Sequence, residues 1–297
     1  MALHWAQTYA PVVYEWFRTG MDSVASLIPA LFDVRTSAAA NEYAVGVGGV
    51  PTDQWDVYET TGVTAHVDVD RYYPTTFTHE EKSIRFYLKR KDIDDDKMGA
   101  VRDALFELGL SARIKQEEDA ASIFNNAFSS SYLGADGKAL CSSTHPTGPD
   151  VAATTYSNYG TAALSYTNVK AARLAMRQWV TTQNKPLPRN GRLLLLPIEL
   201  EDLAIEITKA DKKPGTADND ASAIAGFQYM TWDYLTDANN WFLLDPVYVK
   251  RYLRWYNRVP LESRIVEQTT THVVYEFYMR YSYGWTDPRF VYGNNVS

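Results

Sequence analysis

The sequence predicts an α+β fold in which one long helix lies on long strands, and three observations carry that expectation. From Asp92 to Phe128 apolar residues recur at helical spacing: Met98, Val101, Leu105, Leu108, Ala112, then Ala120, Ala121, Phe124 and Phe128. A continuous rod of that length would run roughly 55 Å at the rise of an α-helix. Ahead of it, residues 53–72 and 82–90 read as two strands around the polar stretch from Pro74 to Glu80. Behind it, residues 247–258 and 272–283 alternate side chains over long extended runs. A helix and strands of such length form a layered α+β arrangement.

Composition sets the bounds. The chain has 297 residues, 45% hydrophobic and 22% charged, enough for one large domain or two of ordinary size. A net charge of −7 argues against a surface that grips nucleic acid all over. The 21 tyrosines supply large amphipathic contact area, which suits interfaces as well as cores. A single cysteine, Cys141, excludes an internal disulfide framework and fits a reducing compartment. The start from Met1 to Trp5 lacks a signal-peptide pattern, and the aliphatic run Leu193–Leu196 is too short to span a bilayer. A soluble cytosolic protein is expected.

In chain order, Tyr9, Val13, Trp16 and Phe17 predict a short amphipathic helix, and Leu27–Phe32, broken by Pro29, an extended arm. Such an arm would pack on a neighbouring subunit. Gly46, Gly48, Gly49 and Pro51 mark a corner. The 53–90 hairpin is too polar for a core of its own and should rest on another copy of the chain. Asp92, Asp94, Asp95 and Asp96 suit the start of the long helix, and Gly109 is its expected bend. Residues 129–160 form a long Ser/Gly/Thr/Asn-rich connection. An amphipathic helix over 168–180 follows, then a buried strand at 191–196 and a helix over 198–207. An exposed loop spans 209–226, and a turn at Asp237–Asn240 leads into a strand ending at Leu244. The strands 247–258 and 272–283 pair antiparallel through a loop at 259–268, with Tyr275, Phe277, Met279, Tyr281 and Tyr283 on one face.

Catalytic and metal-binding patterns are not found. Cys141 and His145 stand four apart with no second pair, so a solvated loop is the expectation. The five histidines are scattered, the Asp92–Asp96 run lacks a calcium-loop pattern, and no phosphate-binding or nucleophile motif occurs. Two basic clusters, Lys82/Arg85/Lys89/Arg90/Lys91 and Lys250/Arg251/Arg254/Arg258, could form a nucleic-acid stripe. Salt-bridging to acidic surfaces of neighbouring copies is preferred, because charge at such contacts sets register and partner choice. The candidate inter-subunit contact residues are Trp55, Tyr58, Tyr72, Tyr73, Arg85, Lys89, Arg90, Arg254 and Arg258.

The order of elements resembles the major capsid protein of tailed bacteriophages, the Hong Kong 97-like fold. Three stretches are similar to the Mu-type major head subunit family: Ile123–Phe128 with Gly134–Pro146, Leu193–Glu199 with its helix, and Tyr281–Gly293. The resemblance implies an N-terminal arm over 1–45, an extended loop over 46–90, a peripheral domain over 91–150 and 246–297, and an axial domain over 151–245. It implies no enzyme activity and no cofactor, but self-association into hexamers and pentamers of an icosahedral shell around double-stranded DNA, without sequence-specific binding. Separate scaffolding and portal proteins, with a cement protein as a further option, would be partners, and the virion, assembled in the host bacterial cytoplasm, the location. No lysine stands between Gly62 and Arg71, so cross-linking through a lysine at the hairpin tip is not expected. Two alternatives stand beside it: an encapsulin-like nanocompartment shell, and an aromatic-rich carbohydrate-binding or glycosidase domain. The latter would need two acids about 5–10 Å apart in a cleft.

Overall fold

The computed structural model describes residues 4–49, 70–95, 97–149, 154–181, 184–209 and 222–296. The chain opens with helix α1 (His4–Met21), which turns Val13, Phe17 and Met21 inward. The segment expected to be an extended arm is instead a one-turn helix, α2 (Ile28–Leu31), with Pro29 in its first turn and Ile28 and Leu31 buried. Proline is tolerated there because the first-turn N–H groups have no helical partner. Both elements pack on their own chain, and Phe17 stacks on Phe277 at 3.9 Å between centroids.

Strands β1 (Asp33–Thr36), β2 (Asn41–Gly49), β3 (Asp70–Thr78) and β4 (Glu80–Lys89) follow. The pairing differs from the sequence expectation. β3 pairs with β2, from Asn41↔Thr78 to Gly49↔Asp70, and they form the hairpin. β4 pairs instead with a strand nearly two hundred residues on, so residues 82–89 belong to the main sheet. Alternation identifies a strand but not its partner.

The long helix is interrupted near its predicted start. Arg90–Asp94 is a separate one-turn helix, α3, and α4, the spine, runs from Met98 to Asn125. Asp92 and Asp94 therefore lie in the short helix, and no acid occupies the first turn of the spine. The spine runs through Gly109 without a break. That glycine serves close approach. A β-carbon on it would lie 1.8 Å from the Phe17 carbonyl oxygen, and one on Gly20 would lie 1.9 Å from that of Phe106. The two glycines let α1 cross the spine backbone to backbone.

After the spine come the short strands β5 (His145–Pro146), β6 (Thr155–Tyr156) and β7 (Tyr159–Gly160). Helix α5 (Tyr166–Arg177) is capped by Ser165, whose side chain accepts from the Asn168 amide. Val169, Ala172, Met176 and Trp179 are buried as its pattern predicts, while Leu174 faces solvent. Strand β8 (Leu193–Leu196) leads through a 3₁₀ turn into α6 (Glu201–Lys209), and β9 (Gln228–Thr231) and β10 (Trp241–Leu244) follow. The predicted strand over 247–258 begins as a helix, α7 (Pro246–Tyr252): Asp245 caps it by accepting from the Val247 amide, and Pro246 starts it. Strand β11 (Leu253–Gln268) extends through the predicted loop at 259–268, and β12 (His272–Trp285) returns beside it. The last strand is β13 (Val291–Asn294).

Two main sheets result. One has the order β1-β11-β12-β4, with β1 parallel to β11 and the other neighbours antiparallel. The other has the order β7-β13-β10-β8-β9, so the end of the chain completes it. Period-two alternation splits β8 and β10 between two cores. Leu193, Leu195, Phe242 and Leu244 join the spine (Ala120, Ala121, Ile123, Phe124) and the first sheet (Tyr275, Phe277, Tyr281). Leu194, Leu196, Trp241 and Leu243 meet α5 and α6 through Val169, Ala172, Met176, Ala204 and Ile207.

Candidate assembly surface

The β2–β3 hairpin is tied down by buried polar groups. Tyr72, on β3, is only 2% exposed, and its hydroxyl lies 3.3 Å from Asp136 Oδ2 and 3.2 Å from the Pro146 carbonyl. Asp136 also holds His145 Nδ1 at 2.6 Å, and the His145 ring stacks on Tyr156. Close by, Arg289 makes a two-pronged pair with Asp287, both fully buried, and the guanidinium lies 4.9 Å from the Tyr72 ring centre. Burial and the Asp136 charge push the Tyr72 phenol far above its ordinary value. Burial alone would lower Arg289, but Asp287 outweighs it and holds the guanidinium charged. The cluster joins the hairpin, the 134–147 connection and the C-terminal segment. It offers fixed polar anchoring.

Cys141 and His145 thus lie in a packed region and not in a solvated loop, being 3% and 0% exposed. Burial raises the Cys141 thiol far above its ordinary range, which makes it a poor nucleophile. Among the described residues no group of three or more His, Cys, Asp or Glu could hold a metal ion, and no helix is long and apolar enough to cross a membrane.

A further buried carboxylate lies at the first core. Glu117, 1% exposed, accepts from Ser26 Oγ at 2.5 Å and from Trp232 Nε1 at 3.1 Å. Two residues on, Asp119 accepts from the Tyr281 hydroxyl at 2.7 Å and pairs with Lys115 at 2.8 Å. Sequence periodicity marked this stretch as helix, but only tertiary packing shows that its acids face inward.

The contact residues expected from sequence divide into three groups. Trp55 and Tyr58 lie outside the described residues. Tyr72 is buried in its own chain, Tyr73 is half-buried near Gly148, and Arg254 pairs with Asp33 of β1. Arg258 is half-buried on β11. Arg85, Lys89 and Arg90 are exposed. Part of the basic clusters is balanced within the chain: Arg85, together with Arg264, clamps Glu276, Lys82 meets Glu80 and Asp119, and Arg90 pairs with Asp94. Outward-facing apolar residues were not singled out from sequence, since the strand pattern does not say which face another element covers. They include Tyr43 and Val45 on the hairpin, Tyr87 beside Lys89, and Val247 at the start of α7.

A spine helix, a sheet of long strands and a tethered hairpin define a capsid-type subunit with the Hong Kong 97-like fold. Known structures agree at the level of fold. The chain is similar to the procapsid of bacteriophage JBD30, at 13% identity and a TM-score of 0.56 over 98% of this chain and 75% of that one. It is similar to the capsid of cyanophage P-SCSP1u at 13% identity and a TM-score of 0.56, over 92% and 88% of the two chains. The virus-like particle of Pyrococcus furiosus follows at 9% identity and a TM-score of 0.54, over 96% and 99%. No curated protein sequence matches. The sequence model of the phage capsid protein family matches residues 72–294, three quarters of the chain, and the chain belongs to that family. It is a structural capsid protein that forms the shell, and not an enzyme. Family membership disfavours the nanocompartment and glycosidase alternatives.

Proposed function

We propose that this chain is the major head subunit of a tailed bacteriophage, of Mu-like type, and that its copies form hexamers and pentamers of an icosahedral shell around double-stranded DNA. The family match across residues 72–294 carries the proposal. The fold supports it through a hairpin whose outward Tyr43 and Val45 side chains are left exposed by the chain itself. Residues 1–45 act as the arm, the hairpin as the extended loop, 91–150 with 246–297 as the peripheral domain, and 151–245 as the axial domain. Since β4 belongs to the main sheet, the loop ends before Glu80, ahead of the limit at residue 90 read from sequence. Separate scaffolding, portal and cement proteins complete the particle, and assembly takes place in the host bacterial cytoplasm before the subunit becomes part of the virion.

The test is to replace residues 46–71 by a short glycine turn, since Val45 already pairs with Pro74. The trimmed chain should keep its unfolding transition and form no shells by electron microscopy. Shells of normal size would contradict the role given to the hairpin, and loss of folding would place those residues in the core.

A further inference from the structure

His79 is the single residue between β3 and β4, and it is 5% exposed. Its ring reaches two hydroxyls, with Nε2 3.1 Å from Ser37 Oγ and Nδ1 3.0 Å from Ser282 Oγ. Ser37 stands between β1 and β2, and Ser282 on β12. The chain's passages into and out of the hairpin therefore meet the main sheet at one imidazole.

The hydrogen bonds fix the protonation pattern. Ser37 Oγ donates its one proton to Glu42 Oε1 at 2.6 Å, so toward His79 it can only accept. Nε2 must carry the ring proton, and Nδ1 accepts from Ser282 Oγ. Every partner is satisfied by a neutral ring. A second proton on Nδ1 removes the acceptor that Ser282 uses.

The surroundings oppose that proton. Arg258 on β11 and Arg280 on β12 flank the ring, each with a buried Nε that has no hydrogen-bond partner among the described residues. Glu42 on β2 is the acid facing the ring, while Glu81 on β4 lies 3.9 Å from Arg280. Burial, with Arg280 next, holds the imidazole below its usual value of 6.5.

We propose that His79 is a pH-sensitive clasp that holds the hairpin root against the sheet and loosens it on acidification. The docked root binds fewer protons than the open one. Its stability is therefore full above the usual imidazole range and is lost as pH falls through the lower folded value. The clasp lies within one chain and stands whether or not the shell proposal does.

Hydrogen exchange on the full-length protein, corrected for intrinsic rates and compared at pH 7.5 and pH 5, tests it. Peptides covering 37–45 and 72–82 should lose protection several-fold at the lower pH, while spine peptides hold. His79→Gln keeps a donor for Ser37 and cannot titrate, so its root should not respond. Ser282→Ala removes the donor to Nδ1 and should move the transition to higher pH, and it serves alone where His79→Gln does not fold. No loss in the wild type, an equal loss in His79→Gln, or an unmoved transition in Ser282→Ala would overturn the proposal.

Discussion

Gly99 and Gly109 lie on the same helix, and alanine should act on them in opposite directions. Helix propensity alone favours alanine at an interior position by about 1 kcal/mol. At Gly109 the new β-carbon would sit 1.8 Å from the Phe17 carbonyl oxygen and 2.9 Å from the Met21 nitrogen. Both are backbone atoms that cannot rotate away. Reaching even 3.0 Å, the limit that real β-carbons respect, requires α1 to recede by 3.0 − 1.8 = 1.2 Å. A gap of about 1 Å already forfeits roughly half of the dispersion attraction across it. Val13 and Phe17 are fully buried on that face and would lose contacts together. Overpacking of this kind costs about 3 kcal/mol. Against the propensity gain, the net loss for Gly109→Ala is about 2 kcal/mol, or a fall of roughly 4 °C in Tm. A β-carbon on Gly99 would meet no atom within 4 Å, so Gly99→Ala should gain about 0.5 kcal/mol. Urea unfolding of the two variants beside the wild type measures both. Gly109→Ala at wild-type stability or above would refute the close-crossing argument, as would an equal loss in Gly99→Ala.

Other perturbations follow from the buried polar groups. Glu117→Ala should cost about 3 kcal/mol in urea unfolding, because it strips acceptors from Ser26 and Trp232 in a buried site. Cys141 should resist a thiol reagent at pH 8 in the folded protein and react fully in guanidinium, since burial disfavours its thiolate. Hydrogen bonds from Arg264, then Arg85, hold the Glu276 carboxyl below its usual value. The native state therefore binds fewer protons, so this stabilisation is present above the usual carboxylate range and is lost as pH falls through the folded value. Wild type and Glu276→Gln should differ in Tm at pH 7 and converge as the pH drops below about 4.

The spine, the central strands and α5 were legible because each repeats a buried face over several turns or pairs of residues. Where two local patterns compete, the sequence is less decisive. Val249 and Tyr252 fit a strand of alternating faces and equally a helix at spacing three, and the Asp245–Pro246 cap resolves it. The acids from Asp92 to Asp96 suit a helix start, yet Asp92 and Asp94 fall in a short helix that ends before the spine begins. Strand partners are harder still. Nothing local to residues 82–89 tells that they pair with 272–279 rather than with the hairpin. Buried ion pairs are the least visible, since Asp287 and Arg289 read as turn residues until the packing around them is known. Gly134–Pro146 and Tyr281–Gly293 build that same cluster together with Tyr72.

Many copies of this chain close into a shell, and cryo-electron microscopy of the purified protein tests that most directly. The protein would be expressed alone and taken through varied assembly conditions, and nucleic acid assayed in any particles. Closed icosahedral particles are expected, in which a hairpin from each subunit lies against a neighbour. Monomers or small discrete oligomers under every assembly condition would contradict it.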